Sequence, residues 1–174
     1  PFGVALADKE SNSNGTEQTV LVTECGNDRV SEFTVEGTFL RIFAGAREAG
    51  GGMDFMAPSA IVVMSSGEVA IADSGQHRIQ IFDREGNFVH KFGAEGEEDG
   101  HFRRVNSLQA DAHGNIVVTD YHTNRLQVFD SKGEHFCTRN DIGLQARTSK
   151  GIAWGKGGRL ALANGHTNKL VVYL

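Results

Sequence analysis

One twelve-residue phrase recurs along this chain and restricts the fold more than any other feature. It reads ADSGQHRIQIFD at 72–83 and TDYHTNRLQVFD at 119–130. Looser copies are TECGNDRVSEFT at 23–34 and ANGHTNKLVVYL at 163–174. Aligning on the phrase gives units that begin near Pro1, Pro58, Val105 and Ser149. A period of about 45 residues points to a solenoid, a propeller or an array.

Each unit breaks into short β-type runs. In the second these are SAIVVM (59–64), EVAIAD (68–73), RIQIFD (78–83) and FVHKFG (88–93). Valine, isoleucine and phenylalanine fill the runs, and Gly, Asn, Asp and Ser fill the breaks, as strands and tight turns require. Such short connections make neighbouring strands antiparallel, so each unit is expected to be a four-stranded meander. The third unit repeats the pattern with NSLQAD, NIVVTD, RLQVFD and EHFCTR. The first carries an insertion, DKESNSNGTEQ (8–18), between its first two strands, and the fourth writes only three. No segment keeps a helical period.

The inner runs EVAIA, NIVVT and RLALA are apolar on both faces. A sheet with one face in water alternates more cleanly, so both faces must be covered. Stacking similar sheets face to face around an axis does this, which predicts an all-β chain of β-propeller type. A β-sandwich or a linear array fits the four-strand period less well. About four blades are expected, at 1–57, 58–104, 105–148 and 149–174, within a single region spanning 1–174 and the last incomplete.

The stretch GEVAIADSGQHRIQIFDREGNFVHKFGAEGEEDGHF resembles the NHL repeat. The resemblance lies in the Asp before the turn, the His-Arg after it, QIFD, the Gly-Asn hairpin and the KFG…G linker. The third unit resembles it as far as Asp130, and CTRNDIGLQARTSK then lacks the Gly-rich loop. WD40 and kelch signatures do not occur. The resemblance implies a four-stranded antiparallel blade in a ring typically of about six. It also implies a choice of roles: a protein-interaction module, as in tripartite-motif ubiquitin ligases, or a binder of single-stranded RNA on a basic face. A third is a metal-dependent enzyme similar to peptidylglycine amidating lyase.

Glu24, Asp73 and Asp120 end second strands, and Arg29, Arg78 and Arg125 begin third strands five residues later. In the fourth unit Asn164 and Lys169 take these positions together. A carboxylate accepts turn amides and an Arg opposite it pairs with it, so the motif is expected to shape the turn. The competing reading is a ring of arginines for an anionic ligand.

His77, His122 and His166 all fall in these turns, yet His77 aligns with Asn124 rather than with His122. Turns of different blades are too far apart for ligands that must sit about 2.0–2.3 Å from a zinc ion. No metal or other cofactor is expected. GAEGEEDG (93–100) does not have EF-hand spacing and reads as a solvated loop. Phe55 and Phe102 are expected to plug the gaps between blades, and Trp154 to pack. No G-x-S-x-G, H-E-x-x-H or phosphate loop occurs, so no catalytic set is assigned.

Recognition is expected on the face of turns and linkers, at Asn27, Asp28, Gln76, His77, His122, Thr123, Asn124, His166 and Thr167. Arg47, Glu48, Glu95, Glu97, Glu98 and Asp99 add linker charges. The net charge of −5 favours a protein partner over RNA. No apolar run approaches the roughly 20 residues of a membrane span. Cys25 and Cys137 read as buried free thiols, which slightly favours the cytoplasm, while the sequon at Asn14 matters only if the chain is secreted. The opening Pro1-Phe2-Gly3 lies already inside a unit, so processing or truncation is expected. Fewer than four full blades leave three expectations open: a longer protein, a ring completed by another chain, or a small four-bladed ring.

Overall fold

The computed structural model describes residues 1–10, 16–45, 54–140, 149–155, 159–164 and 169–173. They form four antiparallel sheets in chain order. Blade one is β1 (Val4–Glu10), β2 (Thr16–Glu24), β3 (Arg29–Thr34) and β4 (Phe39–Ala44). Blade two is β5 (Pro58–Val63), β6 (Val69–Asp73), β7 (Arg78–Phe82) and β8 (Phe88–Phe92). Blade three is β9 (Val105–Ala110), β10 (Ile116–Asp120), β11 (Arg125–Phe129) and β12 (His135–Arg139). Blade four has β13 (Ser149–Trp154), β14 (Leu160–Asn164) and β15 (Lys169–Tyr173).

The first strands lie side by side, β1 against β5, β5 against β9 and β9 against β13. The sheets therefore stack face to face around one side, and they do not close into a ring. The alternating side chains of each inner strand serve two different junctions. Val69 and Ile71 face back onto Leu21, Val30 and Phe43 of blade one. Ala70 and Ala72, one residue out of phase, face forward onto Ile116, Val118 and Phe129 of blade three. Val117 then faces forward onto Leu160 and Leu162. This is why the inner runs are apolar at every position, and each buried side chain of this size is worth about 1.5–3 kcal/mol.

The described residues of the insertion, 8–10 and 16–18, are strand. Asp8 pairs with Gln18, Lys9 with Glu17 and Glu10 with Thr16, so β1 and β2 run on past the length of the other blades.

Hairpins on the rim away from the linkers share one device. Asp83 Oδ1 accepts the amides of Glu85 and Asn87 at 3.0 and 2.7 Å, and Oδ2 accepts Asn87 Nδ2 at 2.8 Å. Asp111 does the same with His113 and Asn115. Burial pushes both carboxyls up, but these hydrogen bonds outweigh it and hold them below the usual range. Gly86 completes its turn at φ +92°, and its α-carbon faces the carbonyl oxygen of Phe43 across the blade junction. A residue with a Cβ is strained there on both counts.

Candidate functional site

The rim formed by the second turn of each blade and the linkers between blades carries the recurring phrase. In blade two Asp73 is fully buried. Its Oδ2 accepts Arg78 Nε at 2.8 Å and Gln80 Nε2 at 2.9 Å, and its Oδ1 accepts the amide of Met56 at 2.7 Å. Burial raises its pKa against these three donors. Arg78 also donates through Nη2 to the carbonyl of Asp54 at 3.1 Å, and Gln76 donates to the same oxygen. Carboxylate and guanidinium therefore grip the linker that enters their own blade, one taking its N–H and the other its C=O.

Blade three grips its linker with the same residues but without the ion pair. Asp120 Oδ2 accepts the amides of Arg103 and Arg104 at 2.6 and 3.2 Å. Its Oδ1 accepts the turn amides of His122 and Thr123 at 2.8 and 3.1 Å. With Asp120 filled by four backbone donors, Arg125 turns to the carbonyls of Glu97, Glu98 and His101. The pairing of Asp120 with Arg125 expected from the spacing is thus replaced by linker contacts, although the two are opposite in the ladder.

In blade one Glu24 takes the bidentate pair from Arg29, at 3.0 and 3.1 Å, with Asn27 and Ser31 donating beside it. The Arg29 hydrogen bonds, with those of Ser31 and Asn27, lower the Glu24 carboxyl from 4.5 to about 2. In blade four Asn164 and Lys169 are paired in register.

Several residues read as recognition positions turn out to build the rim. Asp28, His77 and Asn124 occupy the same turn position with φ of 49°, 54° and 54°. Asn, Asp and His are the non-glycine types that enter this left-handed region most readily. Asp28 Oδ1 also accepts the amide of Ala57 at 2.8 Å, and His77 Nδ1 lies 2.8 Å from the Arg103 carbonyl. Asn27 and Gln76 are engaged as described, and Thr123 offers its backbone. His122 is exposed. His166 and Thr167 lie outside the described residues, as do Arg47, Glu48 and Asn14.

Reading the sequence missed the neighbours of His122. Its ring stacks on Tyr121 with centroids 6.1 Å apart, and the Arg104 guanidinium lies 5.7 Å from the Tyr121 centroid. An Arg-x16-Tyr-His spacing carries no local signal that points to them. Beside them Arg103 pairs with Glu95 at 2.8 Å and Glu97 at 3.5 Å. On the opposite rim a cleft of about 730 Å³ between blades one and two is lined in part by Glu32 and Arg41. Buried Glu32 accepts Thr19 Oγ1 at 2.8 Å and Arg41 Nε at 2.6 Å. Among the described residues no three His, Cys, Asp or Glu side chains gather as a metal site. Cys25 and Cys137 are free, but half-buried rather than buried as expected.

Four stacked antiparallel sheets with clamped linkers are blades of a β-propeller, here an open array. Residues 55–82, the end of one linker and the first three strands of blade two, match the family model of the NHL repeat. The chain is 34% identical over 82 residues to protein brain tumor of Drosophila melanogaster, covering 46% of this chain and 8% of that one. It is 39% identical over 63 residues to RING finger protein nhl-1 of Caenorhabditis elegans, covering 36% and 6%. The fold is similar to one in a nidogen/laminin complex, with a TM-score of 0.69 and 14% identity over 99% of this chain and 59% of that one. It is also similar to a streptogramin B lyase, with a TM-score of 0.64 and 16% identity over 99% and 54%. At such identities the likeness shows the fold alone.

Proposed function

We propose that this chain is a non-catalytic interaction platform that binds a protein partner through the rim of second turns and linkers. The observation that carries the reading is the stack of Arg104, Tyr121 and His122, with Arg104 and His122 exposed beside the acidic linker. Aromatic and arginine side chains are the types that dominate binding energy at protein interfaces. Held on a clamped linker and on the turn that clamps it, they lose little freedom when a partner arrives, which favours affinity. The partner would meet cationic and aromatic groups at blade three and carboxylates at Glu95, Glu97 and Glu98.

The same stack also favours a second reading, single-stranded RNA, because bases stack on aromatic rings and arginine planes. The adjoining carboxylates and the net charge of −5 weigh against it, since phosphate contacts drive such binding. One experiment separates the two. Tagged chain, wild type and Tyr121→Ala with His122→Ala, is used to capture partners with and without nuclease. A defined protein retained by the wild type after nuclease and lost by the variant supports the platform. Salt-sensitive retention on polyuridine that the same variant loses supports RNA and sinks the first reading.

A further inference from the structure

The cleft of about 730 Å³ between blades one and two owes its room to two departures of blade one from the repeat. Leu6 pairs with Val20 as Val63 pairs with Val69, so the next residue, Ala7, is the counterpart of Met64. Met64 is buried and packs into the core between blades two and three. At the first junction the small Ala7 leaves that space open. The second departure is length. β1 and β2 stay paired as far as Glu10 and Thr16, and Asp8 of this longer hairpin lines the cleft opposite Ser65 and Gly67 of blade two.

Leu21, Phe43, Val63 and Val69 give the cleft an apolar floor. Blade one adds a polar wall, the ion pair of Glu32 with Arg41 at 2.6 Å. Glu32 is only 3% exposed, and its other oxygen accepts Thr19 Oγ1 at 2.8 Å. In the same register positions blade two has Ile81 and His90, and blade three has Val128 and Cys137. An apolar residue therefore serves the fold in place of Glu32, and burying an ion pair there carries a desolvation cost. The pair has a visible task at the cleft. Arg41 donates to the carbonyls of Glu85 and Arg84, which fixes the blade-two turn at the mouth.

Charge selects the ligand. The lining sets three carboxylates, Asp8, Glu32 and Glu85, against two guanidiniums, Arg41 and Arg84. Arg41 is committed to Glu32 and the two carbonyls, and Arg84 donates to the carbonyl of Ser66. The exposed carboxylates are less engaged. Asp8 accepts Gln18 Nε2 at 3.1 Å, and the Glu85 carboxylate has no partner among the described residues. A molecule entering here meets acceptors suited to a cation above a floor suited to hydrocarbon. The volume falls within the range of small-molecule sites.

We propose that this cleft binds a small organic amine, its apolar body on Leu21, Phe43 and Val69 and its ammonium at the carboxylates of Asp8 and Glu85. The Glu32–Arg41 pair positions the turn that carries Glu85, so the site is set before the ligand arrives. It lies on the rim away from the linkers and does not rest on the partner surface proposed above.

Tryptamine, 3-methylindole and indole-3-acetate share a ring and differ in charge, and each is titrated into the chain by ligand-observed NMR. Tryptamine should bind at least about tenfold more tightly than indole-3-acetate, with 3-methylindole between them. Ala7→Met puts the side chain of Met64 into this junction. It should weaken tryptamine at least about tenfold without lowering the thermal midpoint. Glu85→Gln, at an exposed position, should narrow the gap between tryptamine and 3-methylindole, and it carries the test should Ala7→Met fail to fold. No saturable binding of tryptamine, equal affinity for amine and acid, an unchanged gap in Glu85→Gln, or undiminished binding by folded Ala7→Met would each overturn the proposal.

Discussion

Arg78 touches Asp73 and the carbonyl of Asp54 with one guanidinium, so a single side chain joins the turn of blade two to the linker that enters it. Arg125 does the same work in blade three with no carboxylate partner at all. Blades one and two share the ion pair, and blades two and three share the grip on the linker.

Removing that grip has a measurable cost. Arg125→Met removes the side-chain donor from the carbonyls of Glu97 and Glu98 and leaves that of His101 with Gln127 Nε2. Stability should fall by about 1–3 kcal/mol in urea denaturation, with faster proteolysis at 95–101. Arg125→Lys should restore little, because an ammonium cannot span carbonyls placed for a planar fork.

The aromatic positions should separate by blade. Phe82→Ala empties a site closed by the rings of Phe43, Phe55 and Phe88 and should lose about 3–5 kcal/mol. In the 174-residue chain Phe33→Ala removes a half-exposed ring and should cost less than about 2 kcal/mol. Equal losses in parallel urea titrations would contradict the difference in burial between the two rings.

Acid should weaken blade one through Glu24. Its carboxyl lies at about 2 in the folded chain, against 4.5 ordinarily. A depressed folded pKa means stability that is complete above 4.5 and is lost as pH falls toward 2. Glu24→Gln should therefore flatten that part of the profile of thermal midpoint against pH, and leave the slope near neutrality unchanged.

Two glycines with similar backbones test the blade junction separately from the turn. Gly86 and Gly114 have φ of +92° and +85°. A Cβ at Gly86 would run into the Phe43 carbonyl, whereas at Gly114 the nearest atom is Ser131 Cβ at 3.7 Å. Both alanine variants should lose about 1 kcal/mol of stability to backbone strain, with Gly86→Ala losing clearly more. Differential scanning calorimetry of the pair would check this.

The sheets were legible because period-two burial on both faces leaves a plain mark in VAIAD and IVVTD. Strand ends were read one residue long at Asp83 and Gly93, where the chain already leaves the ladder: Asp83 caps the hairpin, and Gly93 turns at φ +93°. The rim was less legible. Polar residues in exposed turns look alike whether they bind a partner or hold a linker, and Asp28, His77 and Gln76 hold linkers through residues 22 to 29 positions away. The Arg104–Tyr121 stack is equally non-local, since it joins a linker to a turn through the packing of blade three.

Because the linkers entering blades two and three are each fastened by the blade downstream, the exchangeable cassette of this architecture starts ahead of its first strand. A cut at Pro58 or Val105 would strand Phe55 or Phe102 with the wrong neighbour. A graft beginning at Asp54 and ending just before Glu97 would carry its own fastening, and duplication along those borders would lengthen the array without reworking any joint.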